Sequence, residues 1–200
     1  MKIAESYTCA AAAAAGLADA TICTGAGPWV PNIATSSADS LAHKITITQA
    51  GASNHSAKTA TITGTNADGQ PQTETGLALP NGAATVTSTK FFATVTSVAI
   101  SATIGADTMT MGWAVDAVSP WARMAAHGPN HQGFNLGIGC SVLTGSPNYT
   151  VQITCDGEPI NHATIASKTA AFAGQQAYPV TAIRLLFAVA GGVKMTALQY

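Results

Sequence analysis

Between residues 44 and 115 the chain repeats one pattern: a short run rich in Thr, Val and Ile, with apolar and polar positions alternating, followed by a turn. The runs are KITITQ (44–49), KTATITGT (58–65), ATVTSTKFF (84–92), TSVAIS (96–101) and TMTMGWAV (108–115), separated by AGASN, NADGQPQ, LPNG and IGAD. Successive side chains of a strand point to opposite faces, so this alternation predicts half-buried strands, and the Gly, Asn, Asp and Pro clusters predict turns. The apolar parity changes between Val95 and Val98, which predicts a bulge or a strand break there. A later tract, FNLGIGCSVLTGSPNYTVQITC (134–155), alternates in two registers. Phe134, Leu136, Ile138, Cys140 and Val142 share one parity; Tyr149, Val151, Ile153 and Cys155 share the other. With LTGSPN between them, the two halves predict a hairpin whose second face carries small neutral groups such as Asn135, Gly137, Gly139, Ser141, Thr150, Gln152 and Thr154. TAIRLLFAV (181–189) and VKMTALQY (193–200) read as two further strands, and no long amphipathic helix is visible.

About ten short strands at this spacing predict an all-β protein of two small β-sandwich or jelly-roll-like lobes. The lobes are placed at residues 41–118 and 134–200, with a loop-like connector over 119–133. An Ala-rich N-terminal segment, 1–40, precedes them, either as an arm ordered by its own sheet or a neighbouring subunit, or as a source of one or two early strands. Lys2, the alanine run and Ala18-Asp19-Ala20 have the outline of a secretory signal. Glu5 and the weak hydrophobicity of alanine argue against it.

Composition sharpens the picture. Charged residues make up 8% of the chain, against about a quarter in an ordinary domain. Such a surface has little electrostatic repulsion to keep copies apart, so homo-oligomeric contact or contact with another protein is expected. The net charge is −1 and the eight basic residues are scattered singly, without the clustered patch that a nucleic-acid partner requires. No stretch of about 18 strongly apolar residues is present, so no membrane span is expected.

The candidate chemistry is thin. His127 and His131 stand four apart, but Gly128-Pro129 between them forbids the helix that would make this metal-ligand spacing. His43, His55 and His162 lie near turns without a recurring partner pattern. Asp68-Gly69 and Asp156-Gly157 read as tight turns, and Glu158 beside Pro159 as a solvated turn acid. Cys9 and Cys23 lack C-x-x-C spacing; Cys140 and Cys155 read as reduced, buried hydrophobes, consistent with a cytoplasmic site of synthesis. No nucleophile elbow, P-loop or zincin helix occurs. The expectation is a non-enzyme with no catalytic residue, cofactor or metal. Trp29 and Trp121 either plug core edges or anchor a neighbouring subunit. Arg123 and Arg184 are the only arginines; Arg184 alternates with Ile183 and Leu185 and so faces away from the core, as a surface charge or as a partner for an acid on a neighbour.

ITITQAG, then ATITGTNADGQPQTETGLALPNGAATVTSTKFFATVTSVAIS, resembles a recurrent module of tailed-bacteriophage virion structural proteins. FNLGIGCSVLTGSPNYTVQITCDGEP, NHATIASKTA and AYPVTAIRLLFAVAGGVKMTALQY resemble the block that often follows it. The resemblance covers about residues 44–115 and 130–200 and rests on the order of TGT–ADG, TET, TSTKFF and YPVTAIR; the first forty residues lie outside it. It implies a virion component, assembled in the host cytoplasm and without catalysis, whose partners are the major capsid protein or another virion protein. A capsid decoration (cement) protein is the first reading. A neck, tail or fibre component is the second, with a glycan site for which Tyr149, Tyr178 and Tyr200 are candidates.

Overall fold

The computed structural model describes residues 2–23, 28–124, 135–155, 162–176 and 180–199, and these are all-β. The chain divides into two compact units: an inserted unit, Ala11–Ala117, and a flanking unit made of Met1–Ala10 and Val118–Tyr200. Strand β1 (Lys2–Cys9) belongs to the flanking unit. The inserted unit follows with β2 (Ala13–Thr21), β3 (Ala42–Gln49), β4 (Thr59–Thr65), β5 (Pro71–Ala78), β6 (Ala84–Phe92), β7 (Thr94–Ile100) and β8 (Met109–Val118). The flanking unit resumes with β9 (Ala122–Arg123), β10 (Leu136–Thr154), β11 (His162–Lys168), β12 (Phe172–Gln176) and β13 (Ala182–Gln199). The first forty residues thus supply two strands, and the 119–133 connector carries the short β9; residues 125–134 lie outside the described part.

The inserted unit is a sandwich. One sheet runs β8-β3-β6 with β2 paired to β8, and the other runs β5-β4-β7. Inward side chains of both sheets share one core: Leu17 and Ala18, Ile45 and Ile47, Ile62, Val95 and Val98, Met109 and Met111, with Trp29 and Leu79. The parity change between Val95 and Val98 is a bulge, as the alternation predicts: Thr63 pairs with Ser97 and Gly64 with Val95, leaving Thr96 unpaired. The extra residue turns both valines inward. Strand β5 was not anticipated, because NADGQPQ reads as a turn up to residue 72. The turn proper is Asn66–Gln70, closed by Asn66 Oδ1 accepting from the Asp68 and Gln70 amides, and the strand begins at Pro71.

Hydrogen bonds close both edges of this sandwich. On one side the segment after Pro28 straps β7 to β2. Trp29 and Val98 exchange backbone bonds of 2.7 and 2.8 Å, Val95 N donates to Thr35 O, and the Ile33 and Ala34 amides donate to Leu17 O. On the other side β5 reaches β6. There, Ile45 of β3 is opposed by the three residues Ser88, Thr89 and Lys90, between the pairs Lys44↔Phe91 and Thr46↔Thr87.

The flanking unit corrects two expectations. Residues 136–154 are not a hairpin but one continuous strand, paired along its length with β13, which itself unites the two strands expected at 181–189 and 193–200. Strands β11 and β12 line the far edge of β10, while β1 and β9 pair with β13. The LTGSPN cluster is a bulge: Val142 pairs with Val193 and Tyr149 with Phe187, so seven steps on β10 oppose six on β13. That one extra residue switches the parity of the apolar row, and Leu136, Ile138, Cys140, Tyr149, Val151 and Ile153 all bury beside Ile183, Leu185, Phe187, Val193, Met195 and Ala197. Two glycines meet at the bulge. Gly145 has φ +67° and its partner Gly191 has φ +148°, and a Cβ on Gly191 would lie 2.9 Å from Thr144 O.

This geometry separates two glycines of the same ribbon. Gly191→Ala is expected to destabilise the protein by about 1–3 kcal/mol, from backbone strain plus the clash. Gly139→Ala, where a Cβ meets nothing within 4 Å, is expected to be neutral or to stabilise by about 0.5–1 kcal/mol through a less flexible unfolded chain. Urea midpoints of the two variants check this.

Candidate functional site

The four residues singled out for an interface fall into three environments. Trp29 is core, 7% exposed, and held through its backbone to β7. Trp121 is also buried, and the Arg184 guanidinium lies 4.3 Å from its ring centroid while Arg184 Nε donates to Gln152 Oε1 at 2.8 Å. Arg184 does point away from the core row of Ile183, Leu185 and Phe187, but it stacks within its own unit. A planar cation over an indole contributes about 0.5–2 kcal/mol. Arg123, on β9, is exposed. The structure therefore joins Trp121 to Arg184, with Arg123 on the neighbouring β9, while Trp29 belongs to the core of the inserted unit.

The exposed apolar side chains of the inserted unit gather elsewhere. Ile22, Val30 and Ile33 are each about half exposed, and Thr21, Ile22, Cys23, Pro28, Trp29, Val30 and Asn32 line an open groove of about 390 Å³. None of these residues is charged.

Buried polar groups are where the sequence was least legible. Glu74, 6% exposed, accepts from the backbone amides of Thr89 and Lys90 at 2.8 Å each, one to each carboxylate oxygen. Lys90 Nζ returns to Thr73 O at 2.7 Å, and Gln72 Nε2 donates to Phe91 O at 2.6 Å. The carboxylate thus satisfies the amides that the β6 bulge takes out of the ladder, and Ser88 Oγ, accepting from Ile45 N and donating to Lys90 O, completes the closure. The signal was present: Glu74 stands between two outward threonines, at the inward position of the alternation.

Two histidines also have acid partners that were not anticipated. His43, 1% exposed, has Nδ1 2.8 Å from Ala114 O and Nε2 2.8 Å from Asp39 Oδ2. A carbonyl oxygen only accepts, so Nδ1 carries a hydrogen. Asp39 in turn accepts from Ser37 Oγ and Leu41 N, which fixes the turn before β3. His55 places Nε2 2.8 Å from Asp107 Oδ2 and Nδ1 3.0 Å from Lys58 Nζ. An ammonium only donates, so Nδ1 accepts and Nε2–H faces the carboxylate. Hydrogen bonds from Ser53 and His55 hold the Asp107 carboxyl below its usual value. Each imidazole has both nitrogens engaged, so each ties together segments of the inserted unit that are distant in sequence.

The thiols need one correction. Cys9, Cys23 and Cys140 are buried, but Cys155 is exposed, beyond the last residue of β10, and none of the four is in a disulfide. Burial pushes Cys23 up to about 11 and Cys140 up to about 11. Tyr149, a glycan-stacking candidate, is fully buried with its hydroxyl donating to Ala170 O at 2.7 Å, so it offers no face to a sugar. Burial, together with Cys140, pushes its phenol up to about 12. His127, His131, Asp156, Glu158, Tyr178 and Tyr200 lie outside the described residues, as does the His162 side chain.

Comparison with protein-family models, with curated proteins and with solved structures returned no match.

Two outcomes follow from these environments. Glu74→Gln keeps the shape but presents an NH₂ to one backbone amide, and a cost of about 1–3 kcal/mol is expected, read as a lowered urea midpoint with an unchanged slope. Alkylation of the native protein with iodoacetamide is expected to modify Cys155 alone, the other three thiols reacting only on unfolding, as peptide mass spectrometry would record.

Proposed function

We propose that the chain is a non-enzymatic structural protein of a tailed-bacteriophage virion, and first a capsid decoration protein that stabilises the head. The observation that carries this reading is where the matched motifs fall. Glu74 of TET grips the Thr89 and Lys90 amides of TSTKFF, and TGT leads into the Asn66–Gln70 turn that carries ADG. The likeness therefore lies in residues that build a scaffold, and a scaffold is what a structural role reuses. The uncharged groove with Ile22, Val30 and Ile33 exposed beside it supports a protein partner, since apolar surface of this kind gains most from being covered. The resemblance makes that partner the major capsid protein or another virion protein, with further copies of the chain alongside. Contacts that exist only in the assembled shell stabilise it by mass action.

Quantitative mass spectrometry of purified particles, referenced to the coat protein, tests the reading. Hundreds of copies per particle are expected. A count of about six or twelve, the symmetry of a neck or tail ring, would move the chain to the second position, and absence from particles would remove the virion reading altogether.

A further inference from the structure

We propose that β1 is exchanged between copies of this chain, so that the edge of β13 from Gly191 to Leu198 is a docking surface for the β1 of a second molecule. The proposal deepens the assembly reading and rests on it for its biological setting; the exchange itself is a property of the purified protein.

The attachment of β1 is chiefly a main-chain ladder, supplemented by the Tyr7 hydroxyl bonded to Ser119 and by the buried Cys9. It pairs with β13 over eight consecutive residues, Lys2↔Leu198 to Cys9↔Gly191, without a register shift. Lys2, Ala4, Glu5, Ser6 and Thr8 are exposed, Ile3 and Tyr7 are half-buried, and Cys9 is buried. An antiparallel ladder of this kind is supplied equally well by the same strand of another copy. The swapped and unswapped forms then contain the same bonds, so little free energy separates them apart from the hinge and the entropy of association.

The hinge is defined by what holds its far side. Ala11 O accepts from Trp113 Nε1 at 3.0 Å, and Gly16 lies against the Trp113 ring so closely that a Cβ would come within 2.3 Å of it. The start of β2 is therefore fixed to β8, while β1 belongs to the other compact unit. Between them stand only Ala10, Ala11 and Ala12, the last two exposed. Short connections between elements with separate partners favour exchange over closure within one chain. With β1 leaving one copy and entering the next, the contact either closes as a reciprocal pair or runs on from copy to copy.

Ala4 and Thr196 are direct register partners, close enough in an antiparallel pair for a disulfide. In a Cys155→Ser background, Ala4→Cys/Thr196→Cys is oxidised over a series of protein concentrations. Each sample is passed through size exclusion with light scattering, then denatured without reductant, with Ala4→Cys alone as the control for random coupling. Exchange predicts disulfide-linked dimers or longer chains that increase with concentration and exceed the control several-fold. An intrachain bond alone overturns the proposal, whether the native protein is a monomer or an oligomer held by another surface. Ser6→Cys/Lys194→Cys reads the same ladder should the first pair fail to fold. Particle copy number is independent of these results, so the virion reading and the exchange can fail separately.

Discussion

A β-protein with so few charged side chains has to close its sheet edges by other means than the usual lysine. The inserted unit has three lysines, and each is engaged: Lys44 with Asp116 at 3.0 Å, Lys58 with His55, and Lys90 with Thr73 O. Closure falls to hydrogen bonds. The strap after Pro28 takes the free side of β7, and Glu74 takes the amides that the bulge in β6 would leave bare. An unpaired amide that is taken from water costs about 1–3 kcal/mol; the buried Glu74 carboxylate meets two amides of the bulge and so ties β5 to β6. With its edges occupied in this way, the inserted unit has faces and grooves left for association.

How much of this could be read from the sequence depended on whether the deciding contact was local. Alternation located β3, β4, β6, β7 and β8 to within a few residues, and the Val95/Val98 parity change located a bulge, because side-chain direction along a strand is a local property. The tract at 134–155 shows the limit. A hairpin and a bulged continuous strand produce the same sequence signature: two apolar rows of opposite parity separated by Gly, Ser, Pro and Asn. What distinguishes them is the partner, and β13 lies some forty residues further on. Strand β5 was obscured for a related reason, since Gln70-Pro71-Gln72 reads as the continuation of a turn that in fact ends at Gln70.

The polar sites were legible in proportion to the same rule. The direction of Arg184 followed from its neighbours, but its stacking on Trp121 depended on pairing between distant strands. His43 and Asp39 are four apart in sequence, yet the pair is fixed by Ala114 O on β8. His55 meets Asp107 only because the β3–β4 and β7–β8 loops come to one end of the sandwich. Trp29 and Trp121, which the sequence left open as core plugs or as anchors for a neighbour, are both buried, while the exposed large apolar side chains among the described residues are aliphatic ones that no motif marks.

The interleaving of the two units has a consequence for synthesis. Strand β1 leaves the ribosome long before its partner: about 180 residues separate Cys9 from Gly191, which at about 5–20 residues per second is roughly 10–40 s. The whole of the inserted unit is made in that interval. Its sandwich can fold co-translationally from contacts within its own stretch of chain, whereas the flanking unit is among the longest-range closures a protein of this size can require. From the completion of the inserted unit at Ala117 until β13 is made, then, the nascent molecule is a finished module carrying an unpaired ladder of amides and carbonyls ahead of it. On a polysome, where several copies are at that stage side by side, the first complete β13 to appear need not belong to the same chain.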